Sequence, residues 1–183
     1  GIAEIKRGFA FTANSTNNGI QFVAGTKDTK ESTSGAYGVN ISQAAETAEI
    51  TASYALTGTT TIDSLNNTLT LKLDGVSSGT ITLTAGTYTD EQLAAELQTR
   101  LRGDSAIGKQ LPTVTVQSGK LVVTSARYGS GSEISNLSGT AISSHVLGFE
   151  GTESDTGVDV AGKFVVNGVD ELATGSGQTL TAS

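Results

Sequence analysis

The acidic residues Glu153, Asp155 and Asp159 alternate in the way that the first ligands of a calcium-binding loop do. Such a loop needs Asp or Asn at its third liganding position and a bidentate Glu at its twelfth residue. Here Gly157 takes the third liganding place and Phe164 takes the twelfth. We therefore interpret this stretch as an acidic, solvated linker and expect no metal site in it.

The chain has a single histidine, His145, and no cysteine. A hydrolytic triad would need a nucleophile beside the imidazole, but no Gly-x-Ser-x-Gly pattern occurs. The glycine clusters at residues 129–139 and 175–177 lack the lysine and the strand-to-helix context of a phosphate-binding loop, so we interpret them as turns. We therefore expect no catalytic, cofactor-binding or metal-binding residues, no cofactor, and a protein that is not an enzyme.

The tetrapeptide Arg102-Gly103-Asp104-Ser105 matches the sequence that integrins recognise. Gly103 also suits the end of a helix, where a left-handed residue is common. Because short matches of this kind arise often by chance, we favour the helix end over receptor recognition.

Composition excludes several classes of partner. The net charge is −7 and the isoelectric point is about 4.6, so nucleic acid and anionic lipid would be repelled. No apolar run is long enough for a membrane span, and we expect no membrane insertion. The chain begins at Gly1 without an initiator Met, so we expect an internal fragment of a longer protein, or a protein whose ends have been removed.

One helix is expected between about Asp90 and Arg102. Leu93, Leu97 and Leu101 recur every fourth residue and form one apolar stripe. Thr89 or Asp90 can accept hydrogen bonds from the free amides at the helix start, and arginines suit its negative end.

The rest of the chain favours strands, because Thr alternates with branched apolar residues. Residues 44–52 fit either a short helix or an edge strand, and the apolar residues between 134 and 149 follow no regular period. Asp74-Gly75 and Ser118-Gly119 predict tight turns. Strands are expected at residues 9–12, 20–23, 37–41, 69–73, 80–84, 114–116 and 121–123.

The C-terminal quarter carries the most specific pattern. It contains Gly157-Val158-Asp159-Val160-Ala161-Gly162, then Val166-Asn167-Gly168-Val169, then Ala173-Thr174-Gly175-Ser176-Gly177-Gln178-Thr179-Leu180-Thr181. This string resembles the bacterial flagellar filament capping protein, the flagellar hook-associated protein 2 family. Residues 35–45 and the order strand, strand, helix, strand, strand are similar to that family as well. No heptad run for its terminal coiled coil is present, which suggests an isolated head region.

The resemblance implies a mainly β protein with one clear helix (α+β) in two small domains of antiparallel, sandwich-like sheets. Residues 1–55 with 155–183 would form the inner domain, and residues 56–154 an outer β-β-α-β-β domain inserted into it. The implied function is a structural cap at the tip of the growing flagellum that guides flagellin into the filament, outside the cell. Implied partners are flagellin, sibling subunits in a ring and host surface glycans.

Two other interpretations stay open. Long flagellins carry similar repeats in their variable outer domain, which would decorate the filament rather than cap it. Non-flagellar adhesins and phage tail proteins also use domains rich in Thr and Gly.

Overall fold

The computed structural model describes residues 38–182. It is mainly β with one α-helix, so the predicted α+β class is confirmed. The helix is α1 (Asp90–Gly103), followed by a 3-10 turn at Gly108–Gln110. In chain order the strands are β1 (Gly38–Gln43), β2 (Thr47–Thr51), β3 (Thr59–Ile62), β4 (Thr68–Leu73), β5 (Val76–Ser77), β6 (Ile81–Thr82), β7 (Gly86–Thr89), β8 (Thr113–Gln117), β9 (Lys120–Tyr128), β10 (Glu133–Ser138), β11 (Asp155–Thr156), β12 (Ala161–Val166), β13 (Val169–Ser176) and β14 (Thr179–Ala182).

These elements belong to two compact units. The larger unit is Glu46–Val158, and the smaller one includes residues 38–45 and 159–182. The sequence pattern predicts these boundaries at residues 56 and 154. The structure places them outside those positions because β2 pairs with β9 and buries Ala48 and Ile50 within the larger unit.

Three antiparallel sheets build the larger unit. The first has the order β11-β10-β4-β5 with β6 also paired to β4, the second has the order β2-β9-β8, and β3 pairs with β7. Among residues 38–182, all of the clustered core side chains lie in this unit, with Phe149, Leu121 and Leu147 among the largest that are fully buried.

The hairpin predicted around Asp74-Gly75 is present. Both residues have a left-handed backbone (φ 50° and 83°), the geometry that a two-residue hairpin turn requires. Side chains alternate along β4, so that Leu69, Leu71 and Leu73 are buried and their neighbours are not. The return strand is split into β5 and β6 at Ser78. Its amide donates to the Leu71 carbonyl at 2.8 Å, but its Oγ rather than its carbonyl accepts from the Leu71 amide at 3.0 Å.

The predicted helix is confirmed. Thr89 and Gln92 form a reciprocal capping box at its start, and Leu93, Leu97 and Leu101 are all buried. The predicted helix terminator is wrong in one respect. Gly103 is the last helical residue, and Asp104 closes the helix with an extended backbone (φ −70°, ψ 133°).

The smaller unit is described as one antiparallel sheet with the order β1-β12-β13-β14. Asn167 and Gly168 form the left-handed turn between β12 and β13 (φ 52° and 79°). Gly177 (φ 57°) begins the turn between β13 and β14.

Two ambiguous stretches are resolved as strands. Residues 44–52 contain β2, an edge strand, and the irregular apolar stretch contains β10. The strands predicted at residues 9–12 and 20–23 lie outside the described residues. In residues 38–182 no helix is both long enough and apolar enough to cross a membrane.

Candidate functional site

The integrin-like tetrapeptide, residues 102–105, lies at the C-terminal end of α1. The Asp104 carboxylate accepts hydrogen bonds from the Ala106 and Ile107 amides at 2.9 and 3.0 Å, and from the Gly79 amide at 3.0 Å. Arg102 Nε donates to the Pro112 carbonyl at 2.9 Å. Both charged side chains therefore fix the loop that follows the helix.

The carboxylates of the acidic linker are engaged with backbone amides. Glu153 accepts from the Glu150 amide at 2.8 Å and from the Gly151 amide at 2.9 Å. Asp155 accepts from the Glu49 amide at 2.8 Å, which ties the linker to the start of β2. Within residues 38–182 no three His, Cys, Asp or Glu side chains cluster as a metal site would require.

Glu153 has a perturbed pKa. Partial burial acts to raise the pKa of this carboxyl, but hydrogen bonds from the Ser53 hydroxyl and from backbone amides outweigh it and hold the pKa below its ordinary value. The ionised form is the one these donors favour. Glu153 is thus a charged anchor for the turn at residues 150–153 and for Ser53.

His145 borders an open groove of about 520 Å³ in the larger unit. The groove is lined by Tyr54, Ala55, Leu56, Thr57, Thr60, Ser144, His145 and Val146. The Tyr54 hydroxyl donates to the Glu150 carboxylate at 2.7 Å, and this hydrogen bond raises the pKa of Tyr54. His145 is exposed, and its backbone amide donates to Ser143 Oγ at 3.3 Å. These contacts do not form a nucleophile–base–acid relay.

A second, shallower depression of about 430 Å³ lies along α1 and includes Tyr88, Gln92 and Glu96. Partial burial acts to raise the pKa of Glu96, but hydrogen bonds from Arg100 and Thr84 lower it overall. Arg100 Nε donates to Glu96 at 2.8 Å, and the Thr84 amide donates to the same oxygen at 2.8 Å. The network fastens the helix to the loop after β6.

Two glycines of the C-terminal string, Gly157 and Gly175, occupy positions where the backbone is crowded. A Cβ at Gly157 would collide with the carbonyls of Glu46 and Gly129 in the larger unit. A Cβ at Gly175 would collide with the carbonyl of Val160 in the smaller unit. Close backbone packing, which only glycine permits, therefore explains these two glycines.

The sheet of the smaller unit has two unlike faces. Residues directly opposite in an antiparallel pair have their side chains on the same face of the sheet. The pairs Val39–Phe164, Val166–Val169 and Gly175–Leu180 therefore define one of the two faces. We call this side the apolar face; its larger side chains are Val39, Ile41, Phe164, Val166, Val169, Glu171, Ala173 and Leu180. The other side carries Asn40, Lys163, Val165, Asp170, Leu172, Thr174, Ser176, Thr179 and Thr181.

The sequence signal of this face is the alternation of Val39 and Ile41 with Gly38 and Asn40 in β1. A sheet with one apolar side and one polar side is a surface for packing or binding rather than for bond chemistry. Comparison of the chain with protein-family models, curated proteins and solved structures finds no match.

Proposed function

We propose that the chain is the head region of a flagellar filament-capping protein. In this role it forms part of a structural cap at the tip of the growing flagellum and guides flagellin subunits into the filament. The observation that carries the proposal is the string from Gly157 to Thr181, which resembles the capping family.

The placement of that string supports the proposal. Its Asn167-Gly168 turn joins β12 and β13, and its Gly177-Gln178 turn joins β13 and β14. Gly175 packs against Val160 of the same string. The string thus forms three neighbouring strands of the smaller sheet. Its Asn-Gly turn joins two of these strands, as the resemblance to the capping family leads us to expect.

The cap acts through surfaces and makes or breaks no covalent bond. Its partners are flagellin and sibling subunits in a ring, with host surface glycans as a further partner outside the cell. The carboxylates of Asp104, Glu153 and Asp155 support this assignment because each one accepts backbone amides as a structural group. The acidic net charge of −7 argues against nucleic acid as a partner.

A second candidate is the variable outer domain of a long flagellin. The order of strands around α1, with β7 before it and β8–β9 after it, favours this candidate equally, since such repeats occur in both classes. A non-flagellar adhesin or phage tail domain is the third candidate, and the antiparallel sheets rich in Thr favour it.

Deletion of the gene tests the proposal. Cells without a cap should export flagellin into the medium as monomer and make few or no filaments. Electron microscopy of the deletion strain and immunoblotting of the culture supernatant measure both effects, and the strain complemented with the full gene is the control. Filaments of normal length without excess secreted flagellin would contradict the cap.

A further inference from the structure

Leu111, in the larger unit, has a backbone conformation that a leucine disfavours. Its φ and ψ are 50° and 54°, in the left-handed region, and it stands directly before Pro112, where an extended backbone is favoured. The other non-glycine residues between 38 and 182 with a positive φ are all Asp, Asn or Ser, whose short polar side chains suit such turns. Backbone strain of this kind concentrates at functional positions.

The side chain of Leu111 is presented to solvent by a fixed loop. Leu111 is 56% exposed, so burial of its side chain offsets little of the strain. Its amide donates to the Gly108 carbonyl at 3.2 Å, and Arg102 Nε donates to the Pro112 carbonyl at 2.9 Å. A side chain held in one position in advance loses less freedom when a partner binds it.

Two cationic side chains accompany Leu111. Arg102 and Lys109 are both exposed, and neither forms a salt bridge within residues 38–182. Gly108 packs so closely on the Arg102 carbonyl that a Cβ there would collide with it, which brings Lys109 to the end of α1. The one acidic residue of the segment 102–112, Asp104, is occupied by backbone amides. We call Leu111, Arg102 and Lys109 the basic knob.

The groove beside His145 has the complementary character. Its lining includes the apolar side chains of Leu56 and Val146 and the ring of Tyr54, which is 46% exposed, and its volume of about 520 Å³ accommodates a leucine side chain. Three carboxylates and one ammonium group lie beside the groove through hydrogen bonds to residues 53–58: Glu150 to Tyr54, Glu153 and Lys120 to Ser53, and Asp90 to Gly58. Negative charge therefore prevails at its edge.

The basic knob and the groove lie at opposite ends of β8. Leu111 precedes Thr113, the first residue of that strand, whereas the groove adjoins the turn after it, where the Leu56 amide donates to the Gly119 carbonyl at 2.7 Å. Strands rise about 3.3 Å per residue, so five residues span about 17 Å. The knob of one molecule therefore does not reach its own groove.

We propose that the basic knob of one molecule inserts into the groove of a second copy of the chain. Leu111 packs against Leu56 and Val146, and the two cations face the carboxylates at the edge. Because the contact joins two different patches, it is heterologous and links copies head to tail. The contact is small, so the copies associate weakly and the chain is monomeric in dilute solution. This inference does not depend on the cap function.

Leu65 offers a matched control for the role of charge. It is 81% exposed and also lies in a fixed turn of the larger unit, since its amide donates to the Asp63 carboxylate at 2.8 Å. Asp63 makes that turn acidic, and the carboxylates beside the groove would repel it. Exposure alone favours Leu65 as the inserted side chain, whereas charge favours Leu111.

Disulfide trapping between two copies tests the contact. The chain has no native cysteine, so full-length Leu111→Cys is mixed under mild oxidation with full-length, tagged Ser144→Cys, a groove position. Rates are normalised to the reaction of each cysteine with a small thiol reagent. The mixed dimer should form about tenfold faster than that of Leu65→Cys with Ser144→Cys, because the contact raises the effective concentration of the two thiols. Equal normalised rates would overturn the proposal.

Sedimentation of the chain without cysteine substitutions provides a second measurement. Its average mass should rise as the concentration approaches the millimolar range, as expected for a weak contact. Leu111→Asp should abolish the rise and Leu65→Asp should preserve it, and circular dichroism verifies that both variants are folded. A chain that stays monomeric throughout, or a rise that Leu111→Asp leaves intact, would overturn the proposal.

Discussion

The amide of Glu46 donates a hydrogen bond to the carbonyl of Val158 at 2.8 Å, and the Val158 amide donates back to Glu46 at 3.1 Å. The two residues form an isolated antiparallel bridge at the boundaries of the larger unit. The chain therefore enters and leaves this unit at adjacent points. Such adjacent ends are typical of an inserted domain that can fold alone.

We expect the isolated segment Glu46–Val158 to unfold cooperatively as a monomer, because it contains the clustered core that the structure describes in residues 38–182. The segment 56–154, by contrast, lacks β2 with the buried Ala48 and Ile50, and leaves β9 paired on one side only, with β8. A urea titration followed by circular dichroism and light scattering compares the two. Equal stability of both segments would contradict the boundary at Glu46.

Leu97→Ala should lower the free energy of unfolding by about 2–5 kcal/mol, the usual cost of a cavity left by a buried leucine. Leu97 lies at the centre of the buried stripe of α1 and is 1% exposed. The control is Thr99→Ala, at an exposed position of the same helix. It should change the free energy of unfolding by less than about 0.5 kcal/mol. Denaturant titration measures both values, and a matching small effect for Leu97→Ala would mean that the stripe is not a core face.

Gly175→Ala should destabilise the smaller sheet by about 1–3 kcal/mol, since its Cβ would force the Val160 carbonyl aside. Gly38→Ala is the matched control in the same sheet, because its Cβ would meet Val165 at an ordinary 3.4 Å. Hydrogen exchange of the β13 and β14 amides reports the local stability. Unchanged protection in Gly175→Ala would show that β13 accommodates the added methyl group without displacing Val160.

Glu153→Gln should reduce stability at neutral pH and have little effect in acid. Since hydrogen bonds hold the pKa of Glu153 below its value in the unfolded chain, despite partial burial, its ionised form stabilises the fold above the unfolded pKa. That contribution is lost as the pH falls below the unfolded pKa and through the lower pKa of the folded state. Urea titrations at pH 7 and pH 3 measure the difference, with the exposed Glu91→Gln as control. If Glu153→Gln lost the same amount of stability at pH 7 and at pH 3, the stabilising role of the ionised Glu153 carboxylate would be contradicted.

The features that sequence predicted well are local. The Asp74-Gly75 turn is specified by two adjacent residues that tolerate a left-handed backbone, and the helix by a stripe and a capping residue within one segment. Side-chain alternation in β4 is equally local, since three leucines at every second position mark one buried face.

Features that depend on distant pairing were missed. In β10 the buried residues Ile134 and Leu137 stand three apart, because the register shifts between Ser135 and Ser138 and Asn136 has a left-handed backbone (φ 55°). A bulge of this kind breaks the alternation by which a strand is recognised. The position of β2 likewise depends on pairing with residues more than 70 positions away, such as Glu49 with Thr124. The same holds for the apolar face, where Val39 pairs with Phe164.

Immunogold electron microscopy tests the central proposal most directly. Antibodies raised against the 183-residue chain should label only the distal tip of each flagellar filament if the chain belongs to the cap. The control is the gene deletion strain, in which label should be absent. Label along the whole filament would contradict the cap and support a flagellin outer domain, and label confined to other surfaces would contradict both flagellar roles.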